Sequence, residues 1–262
     1  MQTGRNMQEC YLPDELAKLF PGLICLVGAG GKTSLLHALG TALSVAGHSL
    51  LCTSSTRIML PKATTALPVL LCQEPENLRL PVAGGLFAAR PGPPEKPDKL
   101  YGYKAQELDE LFLRNPAAVI LVEADGAAGR CIKVPAAYEP VIPSYCTCVV
   151  AVLGLSCLYQ PCTAERVFRL ELFCERSGLA PGDELGPQAV ARLILHPQGL
   201  FSGSPAGARR IVFCNQADSP RGVEAFEALC RELYEAAPDF AGLCLMGAVR
   251  EYGLRAWRFV PE

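Results

Sequence analysis

The stretch LICLVGAGGKTSLL, Leu23–Leu36, decides how the chain is read. Leu23–Val27 is a short, continuous apolar run, the pattern of a strand buried on both faces of a parallel sheet. Glycines follow at Gly28, Gly30 and Gly31, then Lys32, Thr33 and Ser34. From Lys32 to Ala46, Leu35, Leu36, Leu39 and Leu43 recur at helical spacing, and Gly47 stops the run. SLLCT, residues 49–53, reads as the next strand. Strand, glycine turn, helix and strand make a βαβ unit. The usual phosphate-loop pattern is G-x-x-x-x-G-K-[ST]. Counted back from Gly31 and Lys32, its first glycine falls at position 26, where the sequence has Leu26.

Three readings of this turn compete. A dinucleotide fingerprint needs G-x-G-x-x-G; Gly28 and Gly30 fit, but the third position is Thr33. A glycine turn without a ligand explains the glycines and leaves Lys32 and Thr33 unexplained. A phosphate loop explains all of them. The helix that starts near Lys32 aims its positive end at the turn. Lys32 is placed to reach the β- and γ-phosphates, and the Thr33 hydroxyl to ligate Mg²⁺. The expected nucleotide contacts run from Gly28 through Ala29, Gly30, Gly31, Lys32 and Thr33 to Ser34. Without the first glycine the pattern is the shorter G-x-x-G-K-T version found in some ligases.

The chemistry of a second stretch fits the first. ILVEADGAAGR, 120–130, is an apolar strand that ends in two carboxylates, Glu123 and Asp125. An acid at the end of such a strand can hold Mg²⁺ directly or through water, the Walker B arrangement. If the strand persists, the two acids share one face. Asp125, at the turn, is the preferred metal or water-positioning residue, with Thr33 as its partner on the metal. Lys32, Asp125 and Glu123 form the candidate catalytic set. The competing reading is a pair of acids that caps a strand end.

Three further segments emerge where an α/β sheet binds ligands, beyond the carboxyl ends of its strands. Thr53, Ser54, Ser55, Thr56 and Arg57 offer hydroxyls and a cation to a phosphate or a substrate anion. CIKVPAAYEPVIP, 131–143, is stiffened by prolines and is not helical; Lys133 and Glu139 are its candidate contacts. Asn215 and Asp218, in NQAD, stand where N-K-x-D reads guanine in GTP-binding proteins, with Gln216 in place of the lysine. A polar loop, a structural crossover and an Asx turn are the corresponding plain readings. His37, His48 and His196 have no partner at ligand spacing.

The rest of the chain supports one large α/β domain over residues 1–262, with an irregular insertion at about 60–100. PVLLC and GGLFAAR suggest two short strands in that insertion, and RPGPPEKPDK a surface loop. Helices are expected at 105–113, 163–177, 188–195 and 223–236, and strands at 117–122, 146–153, 210–214 and 242–246, the last closing the sheet. The net charge of −2 gives no footprint for nucleic acid or for membrane headgroups. No apolar run reaches the length of a membrane helix and no leader is visible, so a cytoplasmic protein is expected. The 13 cysteines contain no C-x-x-C pair and read as reduced, mostly buried thiols.

GAGGKTS, EADGAAGRCIKVPAAYEPVIP and NQAD, in that order, resemble the YqeC family, as does KLYGYKAQELDEL at 99–111. The middle segment is the distinctive one. The resemblance covers about 21–249. It carries onto Gly28, Gly30, Gly31, Lys32 and Thr33 as the phosphate site, and onto Glu123, Asp125, Gly126, Lys133, Pro135, Glu139 and Pro140 around the second strand. It implies a P-loop NTPase-like three-layer α/β fold with a mostly parallel sheet. It also implies a cytoplasmic protein that binds ATP or GTP with Mg²⁺ and serves the maturation of a selenium-dependent molybdenum hydroxylase, by making or inserting its selenium cofactor. Two other readings stay open: a nucleotide-gated carrier or chaperone that turns over no substrate, and a small-molecule kinase or ligase. Cys131, beside the acid-bearing turn, is the thiol to test for a selenium role.

Overall fold

The computed structural model describes residues 6–61 and 67–261. In chain order the elements are β1 (Met7–Tyr11), α1 (Leu12–Ala17), β2 (Gly22–Gly28), α2 (Lys32–Val45), β3 (Leu50–Ser54), β4 (Arg57–Met59), β5 (Val69–Leu71), β6 (Gly85–Ala89), β7 (Lys99–Tyr101), α3 (Ala105–Arg114) and β8 (Val119–Glu123). They continue as β9 (Ile132–Lys133), β10 (Cys148–Gly154), β11 (Val167–Phe168), α4 (Leu170–Ser177), α5 (Pro187–Leu195), β12 (Arg209–Asn215), α6 (Pro220–Ala236), β13 (Leu243–Gly247), α7 (Val249–Tyr252) and β14 (Arg255–Phe259).

Ten strands form one sheet in the order β1-β14-β13-β12-β10-β2-β8-β3-β6-β5. The strands from β13 to β5 pair in parallel, and β14 and β1 are antiparallel. Every residue of β2, β3, β8 and β10 is buried, as continuous apolar strands covered on both faces must be. Alternate residues of β2 feed two cores: Leu23, Cys25 and Val27 face α3, α5 and α6, whereas Ile24 and Leu26 face α1 and α2. Leu26, which stands where a longer loop would have glycine, is a fully buried core residue packed with Leu35, Leu36 and Leu39. The loop begins two residues later.

The β2 strand is the pivot. After it the chain builds β3, β6 and β5 to one side; from β10 onward it builds the other side. Register aligns the strand ends: Glu123 lies beside Leu26 and Ser54, and Gly154 beside Asn215. The turns after β2, β3, β8, β10 and β12 therefore meet at one edge of the sheet.

Two expectations need correction. The sheet does not close at β13, since β14 and β1 extend it. Both are edge or near-edge strands with exposed residues, such as Gln8 and Glu9, so neither carries a continuous apolar run. Residues 163–177 are not one helix: Thr163 and Arg166 lie in a turn, β11 pairs with β9, and helix begins at Leu170. Arg169, at φ 65°, holds the left-handed conformation that separates strand from helix. The segment around 60–100 does supply β5 and β6, and its β7 pairs with β4 to make a separate two-stranded ribbon. All 13 cysteines are free thiols, nine of them buried. Among the described residues, no helix is long and apolar enough to cross a membrane.

Candidate functional site

The turn between β2 and α2 is held open by backbone geometry that side chains would forbid. Gly28, Gly30 and Gly31 take φ values of 90°, 82° and 118°. A Cβ at Gly30 would run into the Gly154 backbone, and one at Gly31 would meet Asn215 Nδ2 at 2.5 Å. The N–H groups of Gly28, Ala29 and Gly30 donate to Asp125 Oδ2 (3.1 Å), the Val152 carbonyl (2.9 Å) and the Arg130 carbonyl (3.0 Å). The first amide of α2 to be bonded is that of Leu35, to the Gly31 carbonyl at 3.0 Å. Among the described residues the amides of Gly31, Lys32, Thr33 and Ser34 have no partner and form the positive end of a helix of 14 residues.

Those four residues line a cleft of 1080 Å³ at the strand-end edge of the sheet. Six cationic side chains line it (Lys32, Arg57, Lys99, Arg130, Arg169, Arg250) against two carboxylates, Glu123 and Glu139. A chain with a net charge of −2 thus places six of its 24 lysines and arginines at one concavity. An anion is the ligand this field favours.

The two acids of the second motif both reach the β2–α2 turn but have different duties: Glu123 is the last residue of β8, and Asp125 lies in the bend beyond it. Glu123 accepts from the Thr33 hydroxyl, Oγ1 to Oε2, at 2.8 Å. Burial pushes its pKa up, against the pull of Lys32 and of the Thr33 bond. Asp125 lies deeper: besides Gly28 N–H, its Oδ1 is 3.0 Å from Lys32 Nζ and its Oδ2 3.2 Å from Lys133 Nζ. Lys32 also donates to the Gly28 carbonyl, and its contact with Asp125 Oδ1 is a buried ion pair at hydrogen-bond distance. Lys133, fully buried, continues to Glu139 Oε2 at 2.7 Å, and Glu139 to Arg169 at 2.6 Å. Alternating charges thus run Lys32–Asp125–Lys133–Glu139–Arg169 from the loop to the cleft rim. Burial pushes the Glu139 carboxyl up, but hydrogen bonds from Arg169 and Lys133 outweigh it and hold its pKa below the usual value.

The residues after β3 divide. Thr53 donates to the Ala88 carbonyl (2.7 Å), Ser54 to the Glu123 carbonyl (2.7 Å) and Ser55 to the Val141 carbonyl (2.7 Å). These three hydroxyls are spent on joining loops, so of the expected substrate contacts here only Thr56 and Arg57 line the cleft. Lys133 is likewise an internal cation, and Glu139 reaches the wall. Asn215 is a buried clamp: Nδ2 donates to the Gly30 carbonyl (2.8 Å) and Oδ1 accepts from Val249 N–H (3.1 Å). Asp218 is exposed and lines a side pocket of 240 Å³ with Gly31, Ser34, Val249 and Arg250. Gln216, at φ 67°, accepts from Ser156 Oγ at 2.6 Å.

Sequence reasoning missed Lys99, Arg130, Tyr138, Arg169 and Arg250 as cleft residues. Arg130 and Tyr138 stood inside the quoted motifs; Arg169 was hidden in a supposed helix.

Magnesium fits this site on its oxygen donors. Thr33 Oγ1 and Glu123 Oε2 are adjacent at the cleft, and Asp125 is a second buried carboxylate, its Oδ1 3.0 Å from Lys32 Nζ. Among the described residues no cluster of three His, Cys, Asp or Glu could hold a metal alone. Mg²⁺ needs none, because it takes one or two carboxylates and completes its shell with phosphate and water.

Fold and site define a mostly parallel α/β protein with an anion-attracting cleft at a glycine-rich strand-to-helix turn. The profile of the family described as "YqeC protein" matches residues 24–171. The chain is also 34% identical over 245 residues to "Uncharacterized protein YqeC" of Escherichia coli strain K12, covering 92% of each chain. This chain belongs to the YqeC family.

Proposed function

We propose that the protein binds a nucleoside triphosphate with Mg²⁺ and uses it, by hydrolysis or phosphoryl transfer, in the maturation of selenium-dependent molybdenum hydroxylases. The nucleotide part rests on one convergence: free amides of α2, the Lys32 ammonium and the Thr33–Glu123 pair meet at a cationic cleft. The pathway part rests on the family resemblance.

In this reading the α2 amides and Lys32 neutralise the phosphates. Lys32 exchanges the Gly28 carbonyl for a phosphate oxygen while Asp125 keeps its ammonium oriented. Thr33 and Glu123 would hold Mg²⁺, with Asp125 as the neighbouring carboxylate. The ion would supply charge neutralisation to the phosphates. Thr33 Oγ1, which donates its proton to Glu123, keeps its lone pairs for that role. Asn215 fixes the loop, and the side pocket at Asp218 takes the base.

Calorimetric titration of ATP and of GTP, each with Mg²⁺, tests the reading. Lys32→Ala should abolish binding, and retained affinity would overturn the phosphate-loop assignment. Loss of GTP binding alone in Asp218→Ala would identify guanine as the base.

A second reading, a nucleotide-gated carrier, draws on the charge chain from Lys32 to Arg169. A phosphate that shares the Lys32 ammonium weakens its pull on Asp125, and the effect passes through Lys133 to Glu139 at the rim. Hydrolysis seen only with the hydroxylase present would favour the carrier, and multiple turnover by the isolated chain would favour the enzyme.

A further inference from the structure

We propose that the part of the cleft away from the side pocket is a second subsite, for an anionic small molecule with a flat aromatic body. The inference rests on the nucleotide reading only for which ligand lies beside it.

Topology separates two directions from the loop. Asn215 ends β12 and Asp218 follows it, on one side of β2, and Arg57 follows β3, on the other. A nucleotide with its base in the side pocket leaves the β3 side unfilled. The main cleft alone, at 1080 Å³, slightly exceeds the roughly 300–1000 Å³ of a site for one drug-sized ligand.

The ribbon of β4 and β7 forms the far wall. Alternation along β4 buries Ile58 and turns Arg57 and Met59 outward. Lys99 lies directly across from Met59. Arg57, Met59 and Lys99 therefore share one ribbon face, and all three line the cleft. Neither Arg57 nor Lys99 has a carboxylate within 4.0 Å among the described residues. Arg57 stacks instead on Tyr101, 5.4 Å from the ring centroid.

Apolar surface accompanies these charges. Met59 is 57% exposed and Tyr138, also on the cleft lining, 75%. The Arg169 guanidinium lies 4.8 Å over Phe168 and 5.8 Å from the Tyr138 ring, and Glu139 holds it there. Unpaired cations suit a phosphate or carboxylate, and a thioether, a phenol ring and a planar guanidinium suit a π-face. Purely polar anions such as sugar phosphates would leave Met59 and Tyr138 unused.

Phenyl phosphate is the probe, titrated calorimetrically against wild type saturated with Mg²⁺ and a non-hydrolysable ATP or GTP analogue, and against Lys32→Ala, whose phosphate loop is disabled. Binding should persist in both, weaken about tenfold in Arg57→Gln or Lys99→Gln, and weaken in Tyr138→Ala while that for inorganic phosphate does not. Arg57 and Tyr138 are exposed, so their variants should fold even where Lys32→Ala does not. Competition between the probe and the analogue, affinity indifferent to Arg57 and Lys99, or no binding to any form would overturn the proposal. If neither nucleotide binds while the probe still depends on Arg57, the nucleotide reading falls and the second subsite stands.

Discussion

Lys133→Met removes one buried ammonium and little volume, so its effect isolates charge. Lys133 is fully buried, and its Nζ lies 2.6 Å from the Gly126 carbonyl, 2.7 Å from Glu139 and 3.2 Å from Asp125. Breaking a buried ion pair costs about 3–5 kcal/mol, because the remaining charge is uncompensated. Two features place this case at the lower end. Glu139 keeps Arg169, and Asp125 keeps Lys32 and the Gly28 amide. The expected loss is about 3 kcal/mol, with no large cavity term because Met fills the stem. At about 2–4 °C per kcal/mol for a chain of this size, Tm should fall by about 6–12 °C. A fold with roughly 5–15 kcal/mol of stability survives that at 25 °C. Thermal melting followed by circular dichroism, with urea unfolding alongside, reads both numbers. Adding Glu139→Gln to Lys133→Met should cost less than the separate losses combined, by about 0.5–3 kcal/mol. A Tm within about 2 °C of wild type would refute the view that the charge chain braces the loop.

Four other outcomes follow from the same geometry. Glu123 has a raised folded-state pKa, so it is deprotonated, and able to take a metal, only as pH rises through that pKa; Mg²⁺-dependent nucleotide affinity should therefore fall on acidification, and Glu123→Gln should flatten the profile. By the same sign, Glu123 takes stability away as pH rises above its ordinary value of 4.5, whereas Glu139, held low, adds stability there and loses it on acidification through its folded pKa; unfolding of Glu123→Gln and Glu139→Gln across that range should shift in opposite directions. Asn215→Ala leaves the Gly30 carbonyl and the Val249 amide without their partner, at a cost of about 2 kcal/mol, and should speed hydrogen exchange at Gly30–Ser34. The Cys157 side chain first, and then Ser156 and Arg166, draw the Cys131 thiol down to about 6 against its burial, while burial pushes Cys10 to about 11; iodoacetamide at pH 7.5 should label Cys131 first by peptide mass spectrometry, and equal labelling would count against it.

Local signals in the sequence were those with local causes. The apolar run 23–27, the glycines after it and the spacing of Leu35, Leu39 and Leu43 were legible because a buried parallel strand, a positive φ and a helix face each impose a short-range pattern. The edge strand β1 and its neighbour β14 were not, since their exposed positions relax the demand for apolar residues. Thr53, Ser54 and Ser55 looked available because a sequence does not say which way a hydroxyl turns; the carbonyls they bond belong to other strands and loops, 35 to 86 residues distant.

By itself, then, the sequence determined the βαβ unit, the residue types at its turn and the presence of two carboxylates at a neighbouring strand end. Only the tertiary structure decided their partners. Glu123 meets Thr33 across 90 residues and Gly28 meets Asp125 across 97, because the register of β2 and β8 sets Leu26 beside Glu123 and carries Asp125 past the strand end. Lys133 and Arg169 join the same chain of charge through the pairing of β9 with β11. Charges interact through space over a few ångströms, and which of them come that close is a property of the packed sheet.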